Sequence, residues 1–242
     1  MLVLDISGSM LAQDLQPKNR LETAKSVLKD FIISQKLNKV GLIVFAGSSF
    51  TLSPLTLDHN ILIELLENIT IDNVKFDGTA IGDALTSAIY RISQNNNSEE
   101  TNKIIILLTD GENNVGFIDP IEASLMAKIK KIKIYTIGIG KPGVIKVPFV
   151  YKETLFENKS LGITKFNEKL LKQIAFLTNG KYYNATDKNK LQKIYNEISN
   201  LEKYPIKIKH YKQIEKYHYF LIPAIILFIL EFILTQTILR VI

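Results

Sequence analysis

Over most of the chain, short continuous apolar runs alternate with longer segments whose apolar positions recur every three or four residues. Leu2–Asp5, Val40–Phe45, Lys103–Thr109 and 133–139 are rich in Ile, Val and Leu with little polar alternation, which predicts strands covered on both faces. Between them, Arg20–Ser34 sets Leu21, Ala24, Leu28, Phe31 and Ile32 on one helical face after Pro17. Further helices are predicted at 58–69 behind Asp58 as N-cap, at 79–93 with Leu85, Ala88, Ile89 and Ile92 inward, and at Pro120–Ile129 with proline just inside its start. A helix at 167–178 leads through Asn179-Gly180 to an edge strand at 181–184 and a last helix at 188–202. Strand and helix in alternation predict an α/β fold, a doubly wound, mostly parallel central sheet flanked by helices. Two stretches break the rhythm: 94–101 is polar, and 141–165, with Pro142, Gly143 and Pro148, reads as a long irregular excursion.

The pattern changes completely at the C-terminus. Residues 220–239, FLIPAIILFILEFILTQTIL, are strongly apolar with Glu231 as their one charge, and at about 1.5 Å per residue such a helix matches a hydrocarbon core of roughly 30 Å. Tyr211, Tyr217 and Tyr219 crowd its entry behind several lysines, as interfacial anchors do, and Pro223 falls where a first turn tolerates it. The predicted organisation is a globular domain at 1–202, a basic juxtamembrane stalk at 203–219 and a transmembrane helix at 220–239.

Charge and composition narrow the chemistry. The net charge is +6, yet the segment from Lys203 onward holds six basic residues against two acidic ones, leaving the first 202 residues near balance at +2. A balanced domain on a basic stalk fits a membrane-proximal protein and speaks against nucleic acid as a partner. There are no cysteines, and His59, His210 and His218 form no paired-ligand spacing; thiolate zinc, iron–sulfur and histidine-based metal chemistry are thereby excluded.

What remains is oxygen. The first strand ends in Asp5-Ile6-Ser7-Gly8-Ser9, which puts a carboxylate and two hydroxyls on alternate residues of a turning chain. The fourth strand ends in Thr109-Asp110-Gly111-Glu112-Asn113, and Asp77-Gly78-Thr79 opens a helix between the two. Ligands of doubly wound sheets bind beyond the carboxyl ends of the strands. Asp5, Ser7, Ser9, Thr79 and Asp110 therefore form a candidate hard-cation site. Its donors suit Mg²⁺ best, with Mn²⁺ and Ca²⁺ as alternatives. Neutral hydroxyls leave such a cation electrophilic, with a position that a carboxylate from a protein partner could fill. Asp77 reads as a turn residue, Asp14 as solvated and His59 as a surface residue.

Three segments, VLDISGSM, DGTAIGDAL and LLTDGENN, resemble in order and context the metal-ion-dependent adhesion site of von Willebrand factor type A (VWA) domains. The resemblance covers Met1 to about Leu201. Gly41-Leu42-Ile43-Val44-Phe45, Tyr135-Thr136-Ile137-Gly138-Ile139-Gly140 and Gly180-Lys181-Tyr182-Tyr183, followed by the stalk and terminal span, are similar to Bat-type bacterial membrane proteins. That resemblance implies metal-dependent protein–protein binding. Ser7, Ser9 and Thr79 would coordinate directly or nearly so, and Asp5 and Asp110 directly or through water. It also implies a link to aerotolerance and to MoxR-type AAA+ ATPases.

Rival chemistries lack parts. Gly138-Ile139-Gly140-Lys141-Pro142-Gly143 satisfies the dinucleotide pattern, but that fingerprint must open a helix, and Pro142 with the VIKVPFV run predicts extended chain. A haloacid-dehalogenase-type phosphohydrolase, the main enzymatic alternative, needs a second acid two residues after the first, where Ser7 stands. A serine hydrolase needs a GxSxG elbow and a histidine base.

Lysines before the span and only Arg240 after it place the domain in the cytoplasm by the positive-inside rule. The family resemblance implies the periplasmic side of a bacterial inner membrane, which requires spans upstream of Met1. Only Met1–Leu4 precede Asp5, short for a central strand, and the expectation is that Met1 is internal to a longer protein.

Overall fold

The computed structural model describes residues 1–15, 19–71, 78–94, 102–110, 112–140, 143–151, 154–164, 167–202 and 217–237. The chain divides into two units, Met1–Lys203 and Tyr204–Ile242.

In the first unit, strands β1 (Leu2–Asp5), β2 (Val40–Phe45), β3 (Ser49–Thr56), β4 (Lys103–Thr109), β5 (Ile132–Ile139) and β8 (Tyr182–Ala185) form one sheet in the order β3-β2-β1-β4-β5-β8. β1 lies parallel to both β2 and β4, and β5 is parallel to β4 and β8; β3 alone is antiparallel. The topological switch therefore falls between β1 and β4. There the connections leave in opposite directions and open a crevice at the carboxyl ends.

Helices α1 (Arg20–Ser34), α2 (His59–Glu67), α3 (Ile81–Gln94), α4 (Pro120–Ile129), α5 (Glu168–Leu177) and α6 (Lys188–Leu201) cover the two faces. Alternate strand residues feed separate cores. Leu2, Leu4, Leu42, Val44, Ile106 and Leu108 pack under α1, α2 and α6, whereas Val3, Ile43, Phe45, Ile105, Leu107 and Ile134 pack under α3, α4 and α5. A sheet buried on both sides explains why its strands read as unbroken apolar runs. Side-chain caps start the helices where the polar residues stand: Asn19 accepts from Glu22 N (2.8 Å), Asp58 from Ile61 N (3.2 Å), Asn167 from Leu170 N (3.0 Å) and Asp187 from Lys190 N (2.8 Å).

Two parts differ from the sequence expectation. β3 has no strong periodicity because it is an edge strand. Its residue Pro54 has no N–H to donate, and the pairing with β2 slips between Val40 and Ile43. The described part of the excursion is instead an antiparallel pair of strands, β6 (Gly143–Tyr151) and β7 (Thr154–Thr164). Its register shifts between Val147 and Phe149, at Pro148, so the proline that suggested irregular chain marks a bulge within a strand.

In the second unit, α7 (His218–Thr237) is a 20-residue helix. Its described side chains, Tyr219 to Leu234, are exposed. Among the described residues no helix is long and apolar enough to cross a membrane. The polar stretch 95–101, most of the stalk and Asp77 lie outside the described residues.

Candidate metal centre

Asp5 ends β1 one step beyond the Leu4–Leu108 pair, beside Thr109 of β4, so the two carboxylates predicted from sequence, Asp5 and Asp110, both stand at the switch point. Both are buried, Asp5 at 0% and Asp110 at 2% exposure. Asp5 accepts from the Ser7 backbone N–H (2.9 Å) and from the Thr109 hydroxyl (2.5 Å). After Ser7 the chain turns through a 3₁₀ segment, Gly8–Leu11, with Met10 N donating to Ser7 O at 2.9 Å. This brings Ser9 Oγ to 3.0 Å from Ser7 Oγ and lets it donate to Asp110 Oδ1 at 2.6 Å. One bonded network thus joins Asp5, Thr109, Ser7, Ser9 and Asp110.

Thr79 reaches the same edge by another route. It is buried, and Ala80 N donates to Ala46 O at 2.8 Å, which ties the start of α3 to the end of β2. Thr79 N donates to Asn114 Oδ1 and Ile81 N to Asn113 Oδ1, both at 2.8 Å, and Asn114 N returns a bond to Thr79 O at 3.2 Å. The loop after Asp110 thereby clamps the helix that carries Thr79. Among the described hydrogen bonds, the Thr79 hydroxyl is not part of the network around Ser9. Asn114→Ala leaves the Thr79 N–H without this partner, and the expected result is a loss of about 1–2 kcal/mol in chemical denaturation.

The structure adds residues that the sequence reading missed. Arg20, 1% exposed, donates through Nη1 to Asp110 Oδ2 (2.6 Å) and through Nε and Nη2 to both oxygens of Asp14 (2.8 and 2.7 Å). Asp14 is therefore ion-paired with buried Arg20 and only partly exposed, not a freely solvated side chain. A cation at the first position of a helix opposes the helix dipole, and that mismatch was the available signal. His59 does behave as a surface residue, with Nε2 3.1 Å from Asn38 O.

Electrostatics mark the pair as short of positive charge. Burial pushes the Asp5 carboxyl up to about 7, and the Asp110 charge adds to this against the Thr109 and Ser7 hydrogen bonds. Burial also raises Asp110, opposed by Arg20 and the Ser9 hydroxyl. A divalent cation would favour the ionised form of both. Among the described residues no group of three or more His, Cys, Asp or Glu could hold a metal; a cation here must draw on hydroxyl oxygens, and Ser7 and Ser9 stand beside the carboxylates. The donor set fits a hard cation.

The von Willebrand factor type A domain pattern matches residues 1–197. The chain belongs to the VWA family. An uncharacterized protein of Borreliella burgdorferi is 30% identical over 240 residues, covering 99% of this chain and 69% of its own length. The chain spans only 59% of a UPF0353 protein of Mycolicibacterium paratuberculosis, 31% identical over 211 residues. Among solved structures, BatB from Bacteroides thetaiotaomicron is 35% identical with a TM-score of 0.72, over 83% of this chain and 96% of its own. An aerotolerance-related membrane protein from Bacteroides fragilis is 34% identical with a TM-score of 0.71, over 83% and 98%. Proximal thread matrix protein 1 from the mussel byssus, solved with a zinc-occupied MIDAS motif, shares the fold at 21% identity and a TM-score of 0.59, over 83% and 44%. The VWA match leaves the haloacid-dehalogenase reading without support. The Gly138–Gly140 segment of this VWA domain likewise runs on to strand β6 from Gly143, where a dinucleotide site would start a helix.

Proposed function

We propose that this chain is a membrane-anchored, divalent-metal-dependent protein interaction module of a bacterial Bat-type system, with a binding site and not a catalytic one. The observation that carries the reading is the convergence of two buried carboxylates, Asp5 and Asp110, on the hydroxyls of Ser7 and Ser9 at the sheet's switch point. Asp5, Ser7, Ser9, Thr79 and Asp110 would hold the cation, Mg²⁺ by preference for an all-oxygen set, with Mn²⁺ or Ca²⁺ as alternatives. The zinc in the mussel protein's MIDAS motif supports metal binding by this fold without deciding the ion. Bound there, the cation would offer an open electrophilic position for a carboxylate of the partner protein. The chain's own residues orient that position: Thr109 and Ser7 fix Asp5, Ser9 and Arg20 fix Asp110, and Asn113 and Asn114 fix the Thr79 segment.

In this reading 1–202 is the VWA domain, 203–219 a basic stalk and 220–239 the anchor in the bacterial inner membrane. The apolar sequence of 220–239 supports the anchor, and so does the membrane-protein description of the Bacteroides fragilis relative. The partners in this proposal are other Bat-type proteins or a MoxR-type AAA+ ATPase, and the domain faces the periplasm, as the family resemblance implies.

The test uses the full chain in detergent, with a MoxR-type ATPase as bait. Mg²⁺ is expected to raise the melting temperature and to be required for capture, a chelator to abolish both, and Thr79→Ala to weaken Mg²⁺ affinity about ten-fold or more (~1.4 kcal/mol). Metal-independent capture would overturn the proposal, as would phosphatase turnover lost in Asp5→Ala.

A further inference from the structure

Among the described residues Arg20 is one of the largest fully buried side chains, and it sits against the candidate metal centre. Its three hydrogen bonds divide its planar fork. Nε and Nη2 grip the two oxygens of Asp14 at 2.8 and 2.7 Å, and Nη1 grips Asp110 Oδ2 at 2.6 Å. The side chains of Asp14 and Asp110 are only 10% and 0% exposed. The position is enforced from two further sides. The Arg20 backbone N–H donates to Ala12 O at 3.1 Å, anchoring the start of α1 to the β1–α1 loop. On another side stands Gly140, at φ +122°; a Cβ there would come within 2.4–2.8 Å of the guanidinium Nη2, Cζ and Nε. This gives a physical reason for the last glycine of the Gly138-Ile139-Gly140 segment: it leaves room for a cation of the protein's own.

The consequence concerns Asp110. Each carboxylate oxygen has a second lone pair, so the bond from neutral Ser9 leaves Oδ1 able to reach a metal, whereas a dication bound through Oδ2 would stand against the guanidinium charge that grips it at 2.6 Å. Both oxygens of Asp5 accept from neutral donors only, Ser7 N and Thr109 Oγ1, and meet no such repulsion. Calcium favours six to eight oxygens and readily takes carboxylates through both oxygens, whereas Mg²⁺ needs six in a tight octahedron. Granting the metal-binding reading above, we infer that Arg20 is a positioning residue that sets ion selectivity: it restricts Asp110 to single-oxygen ligation and so discriminates against Ca²⁺ in favour of Mg²⁺. It also supplies positive charge to the metal-free carboxylate cluster, a role that a planar, always-charged fork fills better than an ammonium.

The experiment is isothermal titration calorimetry of MgCl₂ and CaCl₂ into the full chain and three variants, Arg20→Met, Arg20→Lys and Gly140→Ala, with melting temperatures of the metal-free forms in parallel. The ratio of Ca²⁺ to Mg²⁺ affinity is expected to rise about ten-fold in Arg20→Met and by less in Arg20→Lys and Gly140→Ala. A role limited to stability would lower the melting temperatures and leave the ratio unchanged. An unchanged ratio in variants that still bind Mg²⁺ would overturn the inference while the metal site stands. If Arg20→Met does not fold, Arg20→Lys and Gly140→Ala decide the ratio. Absence of binding by the unaltered chain would overturn the metal site itself.

Discussion

Asp5→Asn is expected to make the metal-free protein more stable at neutral pH while removing its response to divalent metal. Asp5 is fully buried beside Asp110, and burial with that neighbouring charge pushes its carboxyl up to about 7. The folded protein thus carries a carboxylate that its surroundings disfavour. An amide of the same shape removes the charge and keeps the contacts. Its oxygen accepts from Ser7 N, and its NH₂ donates to the Thr109 oxygen once that hydroxyl rotates, since a hydroxyl can donate or accept. Relief of the buried charge is worth on the order of 4 kcal/mol, which exceeds the roughly 1 kcal/mol lost at each of the two hydrogen bonds when a charged acceptor becomes a neutral partner. Loss of an anionic ligand acts oppositely on the metal-bound state. Denaturant melts with and without MgCl₂ should show a higher midpoint than the unaltered protein without metal and no gain with it. A lower metal-free midpoint would show that Asp5 is structural and not held at a cost for binding.

Gly82→Ala is the substitution expected to damage the fold most. A Cβ at this position in the first turn of α3 would lie 1.8 Å from Ile118 O and 2.7 Å from Ile118 C. These are backbone atoms, so no rotamer change relieves the clash. The same backbone is bonded to the helix: Phe117 N and Ile118 N donate to Asp83 Oδ1 at 3.1 and 2.9 Å, and Asp119 caps α4 immediately after. Separating the two segments breaks these bonds and shifts the helix start that carries Thr79. Alanine's helix propensity returns at most about 1 kcal/mol, against an overpacking cost of about 3 kcal/mol or more. The melting temperature of the VWA domain should fall by about 4–8 °C or more, with weaker Mg²⁺ binding in the fraction that folds. An unchanged melting temperature would mean that the approach of α3 to the 117–119 segment is looser than the structure shows.

The parallel strands β1, β2 and β4 and the helices α1 and α4 have the bounds that periodicity predicted, because each is buried in a way that leaves a one-dimensional record. Strands covered on both faces are uninterrupted apolar runs, and helices on the sheet keep a stripe on one side. The carboxylates and hydroxyls of the candidate site were equally legible, since they sit at strand ends and helix starts, where the chain's local pattern marks the carboxyl edge of the sheet. Edge strand β3 and the β6–β7 pair were not, because partial burial weakens periodicity and proline argues locally against the strand that tertiary pairing forms around it.

The sequence by itself determined the fold class, the family and the oxygen-only character of the candidate site. Only the tertiary structure decided how the charges of that site are balanced. Arg20 and Asp110 are 90 positions apart, and Gly140 a further 30, yet they meet around one guanidinium. The reason is physical: a charge at a helix start reads as solvated until the fold removes the water around it, and only then must it find partners. Those partners come from whichever strands the topology brings to the same edge.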